Sequence, residues 1–247
     1  MLSARWDVVV GLMTRWAWWA ATLPFALAFA LVLALVTSGW SPLRDLDTAV
    51  GDALNRYALD HDWVVRASSA LSVIGSRLLY VPLFAALVVV LLWQGRRRAA
   101  ALIIVTAIGS ELLNTSVKAA VDRSRPMFLD PVAQAPGSSF PSGHAQEAAV
   151  AAAMVLIVHL PALRGAARSA MITVAAVAVV AIGLSRVALG VHYLSDVVGG
   201  YLLGAAWTMV VAALLTGSPA TNITAPQLST SSTDGRCGDD QAPPIPK

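Results

Sequence analysis

Charged residues divide the chain into long stretches that carry none. Residues 16–43, 78–95, 99–110, 148–163, 169–185 and 197–233 contain no Asp, Glu, Lys or Arg. A helix crossing a bilayer core needs about 20 mainly apolar residues, or 17–25 with tilt. Ala17–Thr37 meets that requirement by itself. The other stretches reach full length only by taking in polar residues at one end: Arg77 at the second, Glu111 to Lys118 at the third, Ser142 to Glu147 at the fourth, Arg186 at the fifth and Asp196 at the sixth. The pattern predicts six transmembrane helices, near 17–39, 73–93, 99–118, 141–163, 169–189 and 194–216. The fold class is an all-α, polytopic membrane bundle.

Composition agrees with that reading. Of the 247 residues 57% are hydrophobic and 13% charged, and the mean hydropathy is +0.69. Soluble domains are about a quarter charged, so a polar shell around a soluble core cannot be built. A net charge of +3 gives no case for a nucleic-acid partner, and the single cysteine, Cys237, excludes a disulfide scaffold. Ala17–Thr37 is longer than the roughly 7–15-residue core of a secretory signal, so it reads as an uncleaved anchor.

The expected organisation is a cytoplasmic segment at 1–16, the bundle at 17–216 and a disordered cytoplasmic tail at 217–247, rich in Ser, Thr, Pro and Gly. Within the bundle, 41–72 carries Asp45, Asp47, Asp52, Asp60 and Asp62 among apolar residues and reads as one or two short helices at the outer surface. With the amino terminus in the cytoplasm, the basic turns Gly95–Arg98 and Arg164–Arg168 are also cytoplasmic, as the positive-inside rule expects. The protein is then a multi-pass plasma (inner) membrane protein.

This topology collects the unusual polar residues on one side. Lys118 and Arg125 lie at the carboxyl end of the third helix, Ser142, Gly143 and His144 at the amino end of the fourth, Arg186 at the carboxyl end of the fifth, and His192 and Asp196 at the amino end of the sixth. A charged side chain at mid-membrane costs about 2.5–3.5 kcal/mol, less near the interface. Three cations with no comparable group of nearby carboxylates call for an anion. Snorkelling is the alternative for any one of them, and the local spacings argue against it for the set.

In Phe140-Pro141-Ser142-Gly143-His144, proline suits a first helical turn. The free N–H groups of Ser142, Gly143 and His144 then face an anion at the positive end of the helix dipole. In His192-Tyr-Leu-Ser-Asp196, the four-residue spacing of a helix lets Asp196 hold one imidazole nitrogen and leave the other free. Arg186 shares a site with His192 only if the chain bends between them, and Gly190 permits that bend. The set describes a pocket for a phosphate-sized dianion, with His192 able to attack phosphorus and His144 able to protonate the leaving oxygen. Neither a metal nor a cofactor is required.

Three ordered blocks, Lys118-(six residues)-Arg125-Pro126, Pro141-Ser142-Gly143-His144 and Ser185-Arg186-(five residues)-His192-(three residues)-Asp196, resemble the three signature motifs of the type 2 phosphatidic acid phosphatase (PAP2) superfamily. The resemblance implies His192 as a nucleophile forming a phosphohistidine, Asp196 as its orienting partner and His144 as general acid. It implies phosphate binding by Lys118, Arg125, Ser142, Gly143 and Arg186, and a site at headgroup level facing the periplasm or exterior.

The expected function is a membrane phosphatase that releases inorganic phosphate from a lipid phosphate or diphosphate, with undecaprenyl diphosphate the first choice. Phosphatidylglycerophosphate or phosphatidic acid is the alternative substrate. A phosphotransferase is a second reading, and a lipid transporter a third, disfavoured by the lack of repeated halves. Arg77 reads as a snorkelling cation. Glu111 either balances Lys118 or packs helices, and Glu147 has the same two readings. Gly200-(three residues)-Gly204 is a small-residue packing motif that closes the bundle.

Overall fold

The computed structural model describes residues 15–127 and 132–215. Nearly all of the expected segment 1–16 and the whole of the expected tail 217–247 lie outside the described residues. Within them every regular element is helical: α1 Arg15–Thr37, α2 Ser41–Asp60, α3 Asp62–Ile74, α4 Arg77–Trp93, α5 Arg97–Val121, α6 Gly143–His159, α7 Gly165–Ala188 and α8 Leu194–Leu215. A single 3-10 turn, Leu160–Ala162, follows α6.

Six stretches are long and apolar enough to cross a membrane: Trp16–Thr37, Asp62–Trp93, Arg97–Val121, Gly143–Ala162, Gly165–Ala188 and Leu194–Leu215. The six predicted spans are present, with two differences. The outer segment is a regular 20-residue helix, α2, followed by α3. The second span was expected to start near 73, but α3 and α4 form one 32-residue apolar stretch broken at Gly75–Ser76. Gly75 at the break lies close against α7: a Cβ there would be 2.8 Å from Ile182 Cγ2, an approach that glycine permits.

The most buried span is α8, which packs against α1, α5 and α6. Its contact with α6 is backbone on backbone. A Cβ at Gly200 would sit 2.5 Å from the Ser142 carbonyl oxygen, and one at Gly204 would sit 2.9 Å from that of Gln146. Small residues permit this approach where lipid supplies no hydrophobic drive between helices. The glycine pair therefore closes this bundle, as its spacing suggested.

Two apolar clusters hold the bundle away from the polar end. One joins α4, α5 and α6 through Leu91, Ala100, Ile103, Val150 and Met154. The other joins α1, α5 and α8 through Trp18, Leu102 and Val211. A third, Ala145, Val187 and Val197, lies directly beneath the polar end. Outward-facing apolar side chains such as Trp16, Leu78 and Trp93 are more than four-fifths exposed, as lipid contact requires.

Candidate active site

The site begins where α7 stops. Gly190 has φ +75°, the Gly190 N–H donates to the Val187 carbonyl (2.9 Å), and the Val191 N–H donates to that of Arg186 (3.2 Å). This left-handed glycine cap with paired backbone bonds reverses the chain direction. It brings His192 back beside Arg186, the bend the sequence required. His192 itself is not helical, because α8 starts at Leu194. The helical spacing proposed for His192 and Asp196 is therefore replaced by a tighter arrangement, in which Asp196 Oδ2 accepts from the Tyr193 N–H (2.9 Å) and caps the helix.

His192 Nδ1 lies 3.5 Å from Asp196 Oδ2, an ion-pair distance and longer than a good hydrogen bond. Its Nε2 lies 3.2 Å from Arg125 Nη1. An arginine only donates, so Nε2 carries the lone pair and the proton rests on Nδ1, facing Asp196. Burial pulls the His192 imidazole down to about 4, against the opposing pull of Asp196.

A network that the sequence did not disclose fixes Asp196. Arg123 Nη1 donates to Asp196 Oδ1 (2.7 Å) and to Ser195 Oγ (2.7 Å), and its Nη2 donates to Asp47 Oδ2 (2.9 Å). Asp47 in turn accepts from the Ser195 N–H (2.9 Å) and hydroxyl (2.5 Å). Burial works against the Arg123 charge, but the two carboxylates outweigh it and raise the guanidinium above its usual value. The guanidinium also lies over the Tyr193 ring, 4.3 Å from its centroid.

Sequence reading passed over both residues. Arg123 falls outside the three motif blocks apart from its place between Lys118 and Arg125, and Asp47 is one of five acids in the outer segment. A signal existed for Asp47: Asp47, Gly51, Asn55 and Ala58 recur at helical spacing and form the buried face of α2.

Arg125 is held by the carbonyls of Gly137 (2.9 Å), Val191 (2.7 Å), Pro136 (3.1 Å) and Ser138 (3.3 Å), with burial lowering its guanidinium below the usual value. Lys118 Nζ donates to the Ser138 carbonyl (2.8 Å), and Arg186 Nη1 donates to Ser72 Oγ (2.5 Å). Among the described residues, no ion pair includes Lys118, Arg125 or Arg186. The Arg186 Nε and the Ser142 Oγ are buried with no hydrogen-bond partner among the described residues.

The helix start differs from the expectation in one respect. Helix α6 begins at Gly143, not Pro141; Pro141 lies ahead of it, after a cis peptide bond with Phe140. The Ser142 N–H is not free, because it donates to the Asp196 carbonyl (2.9 Å) and so ties α6 to α8. The first intrahelical bond runs from the Gln146 N–H to the Ser142 carbonyl (3.0 Å), leaving the amides of Gly143, His144 and Ala145 ahead of it. His144 lies within electrostatic range of Arg186 and His192. Below this start, Asn114 donates to Gln146 Oε1 (2.7 Å), and Gln146 Nε2 donates to the Ser110 carbonyl (2.8 Å) and hydroxyl (2.7 Å).

Three residues without an assigned role come together one turn along α6. Arg77 bridges Glu111 (2.6 Å) and Glu147 (2.9 Å), tying α4, α5 and α6. Arg77 is thus an ion-pair hub and not a snorkelling cation, and Glu111 balances Arg77 instead of Lys118. The triad lines the polar end of a cavity of about 650 Å³ whose other walls include Phe84, Val88, Ile104, Ile108 and Val150. Gly143 borders the cavity too, which joins it to the histidine and cation cluster.

The bundle of six apolar helical stretches thus gathers at one end two histidines, a buried aspartate and three cations that have no carboxylate ion pair among the described residues. Residues 98–218 match the PAP2 superfamily. The chain is 42% identical over 96 residues to phosphatidylglycerophosphatase B of Bacillus subtilis (strain 168), a match covering 38% of this chain and 46% of that relative. The chain thus spans about half the length of the curated relative it matches. The fold superposes with a TM-score of 0.67 on the crystal structure of a transmembrane PAP2-type phosphatidylglycerolphosphate phosphatase from Bacillus subtilis. That likeness carries 27% identity and covers 77% of this chain and 94% of that one. The chain is thus similar to the PAP2 superfamily in sequence over residues 98–218 and to a PAP2-type phosphatase in fold over most of its length.

Proposed function

We propose that the protein is a membrane lipid phosphatase that hydrolyses phosphatidylglycerophosphate through a phosphohistidine. The observation that carries the reading is the set of cations around His192 that no carboxylate ion pair neutralises, with two buried polar atoms beside them left without partners. Among the described residues, Arg186 Nε and Ser142 Oγ are buried without partners, and Lys118 and Arg125 have no carboxylate ion pair. A buried donor left unpaired costs about 1–3 kcal/mol. One phosphate dianion satisfies all of them, with the amides of Gly143 and His144 at the helix start.

In the reaction, the His192 Nε2 lone pair attacks phosphorus and the bond from phosphorus to the lipid oxygen breaks. His144 gives that oxygen its proton and leaves an alcohol. Asp196, held by Arg123, stabilises the positive imidazole. His144, now a base, takes a proton from water as the water oxygen attacks phosphorus, which frees inorganic phosphate and restores His192. The transition state is loose and spreads its charge over the equatorial oxygens, so fixed cations supply most of the stabilisation.

The apolar cavity takes the lipid chains. From Arg77 to Val88 it runs about 17 Å along α4, more than half of a hydrocarbon core of about 30 Å. The site lies at the outer face of the plasma membrane, at headgroup level. Undecaprenyl diphosphate was the first sequence-based choice, and the two relatives, both named for phosphatidylglycerophosphate hydrolysis, favour the alternative.

The test is phosphate release by the purified protein from short-chain phosphatidylglycerophosphate, phosphatidic acid and farnesyl diphosphate. His192→Ala should abolish release while the protein stays folded, and full activity in that variant removes His192 as nucleophile. Activity should persist in EDTA; loss that one divalent ion restores would overturn the metal-free scheme.

A further inference from the structure

We infer that Ser72, near the end of α3, is a positioning residue of the phosphatase site: its hydroxyl aims Arg186 at the phosphate without neutralising it, and its backbone carbonyl fixes which nitrogen of His144 moves the proton. The inference rests on the phosphatase reading above and adds to that site a residue from a helix that carries none of the three motif blocks.

The break between α3 and α4 supplies the carbonyl. An unbroken helix would direct the Ser76 N–H to the Ser72 carbonyl. Here the Ser76 N–H donates to the Val73 carbonyl (3.1 Å) and the Gly75 N–H to that of Leu71 (2.8 Å), so the Ser72 oxygen leaves the backbone ladder. A carbonyl freed inside an apolar span needs a donor, and the His144 ring lies in hydrogen-bonding range of it. The ring also sits against the break itself, with its Cδ2 3.6 Å from the position of a Cβ at Gly75. A carbonyl only accepts, so the ring nitrogen facing Ser72 keeps its proton throughout the cycle. The other nitrogen gives its proton to the lipid oxygen as the bond from that oxygen to phosphorus breaks, and takes one back from the attacking water.

The hydroxyl acts on charge. Arg186 Nη1 donates to Ser72 Oγ (2.5 Å) where α3 packs against α7. The hydroxyl oxygen accepts and brings no charge of its own. The guanidinium is buried, and among the described residues its Nε has no hydrogen-bond partner. A carboxylate in the place of Ser72 would form an ion pair with Arg186 and compete with the phosphate for it. A neutral anchor gives the side chain its direction and leaves its charge to the dianion. Lys118 and Arg125 are held on the same principle, by backbone carbonyls. One residue thus directs both a phosphate-binding cation and the histidine that transfers the proton.

Two measurements test the two roles. Nitrogen NMR of the labelled wild-type protein, assigned with His144→Ala, should show a single neutral tautomer of His144 at alkaline pH. A mixture of both tautomers overturns the role of the carbonyl. Inhibition of phosphate release by inorganic phosphate tests the hydroxyl. Ser72→Ala should raise the inhibition constant about tenfold, and Ser72→Asp should raise it further. A serine that only packs α3 against α7 would lower the amount of active protein, and with it the apparent kcat, and leave the inhibition constant alone; an unchanged constant in either variant overturns the inference. The tautomer is read in the wild-type protein without turnover, so poor folding of a variant does not shelter the proposal. Failure of the phosphatase reading looks different: the wild-type protein then releases no phosphate from any lipid phosphate or diphosphate.

Discussion

The close approach of α8 to the start of α6 gives the sharpest test of how the site is held. In Gly200→Ala the new Cβ would lie 2.5 Å from the Ser142 carbonyl oxygen and 3.1 Å from both Ala145 Cβ and the Gln146 nitrogen. Ordinary contact begins at 3.4 Å, so the first distance is short by 0.9 Å. The obstacle is backbone, and no rotamer relieves it. The helices must part, and the part of α6 nearest the clash is its start, Ser142 to His144. Inserting a methyl group into a packed contact costs about 1–3 kcal/mol. Displacing catalytic groups by about 1 Å costs about a hundredfold in rate. The expected result is a variant that still folds, melts several degrees lower by tryptophan fluorescence, and releases phosphate about a hundredfold more slowly. Activity and melting temperature both equal to wild type would refute the reasoning, because α6 and α8 would then not be held at the distance that positions the phosphate-binding amides.

Other tests address the groups behind the site. Asp47→Asn keeps the shape but removes one of the two charges that hold Arg123. It should lower stability by about 1.5–3 kcal/mol and kcat by roughly tenfold with KM little changed, because Asp47 positions Asp196 and touches no substrate; a rise in KM alone would contradict that role. Gln146→Leu leaves the Asn114 amide and Ser110 without their partner and should cost about 1–3 kcal/mol in chemical unfolding; a neutral result would mean the chain of bonds contributes nothing. Burial, aided by Arg125 and Arg186, pulls His192 from 6.5 to about 4 in the folded protein. Between those values the unfolded chain binds more protons, so the contribution of His192 to stability is full above 6.5 and is lost as pH falls towards 4. Nitrogen NMR of labelled histidines, assigned with His192→Ala, should find His192 neutral at pH 5.5; titration near 6.5 would contradict it.

The sequence by itself determined the number of spans, because transfer into lipid is a local property that each stretch of about 20 residues settles alone. It also determined which residues gather at one end. Alternating crossings put the carboxyl ends of α5 and α7 and the amino ends of α6 and α8 on one side, and charge is too scarce elsewhere to obscure them. The Gly190 bend and the Gly200 and Gly204 contact were legible for a related reason: glycine at those positions marks a backbone conformation or approach that other residues refuse.

Tertiary structure alone decided the pairing of charges. Asp47 is 149 positions from Asp196, and nothing local says that Arg123 joins them. Arg77, Glu111 and Glu147 stand on three different helices, and each had several acceptable readings until their ends met. The helix starts at Gly143 and not Pro141, and the Ser142 amide before it donates to the Asp196 carbonyl across a contact that α8 supplies. Hydropathy depends on a residue and its neighbours in the chain. An ion pair depends on which helices touch and at what depth, and that follows only from packing the whole bundle.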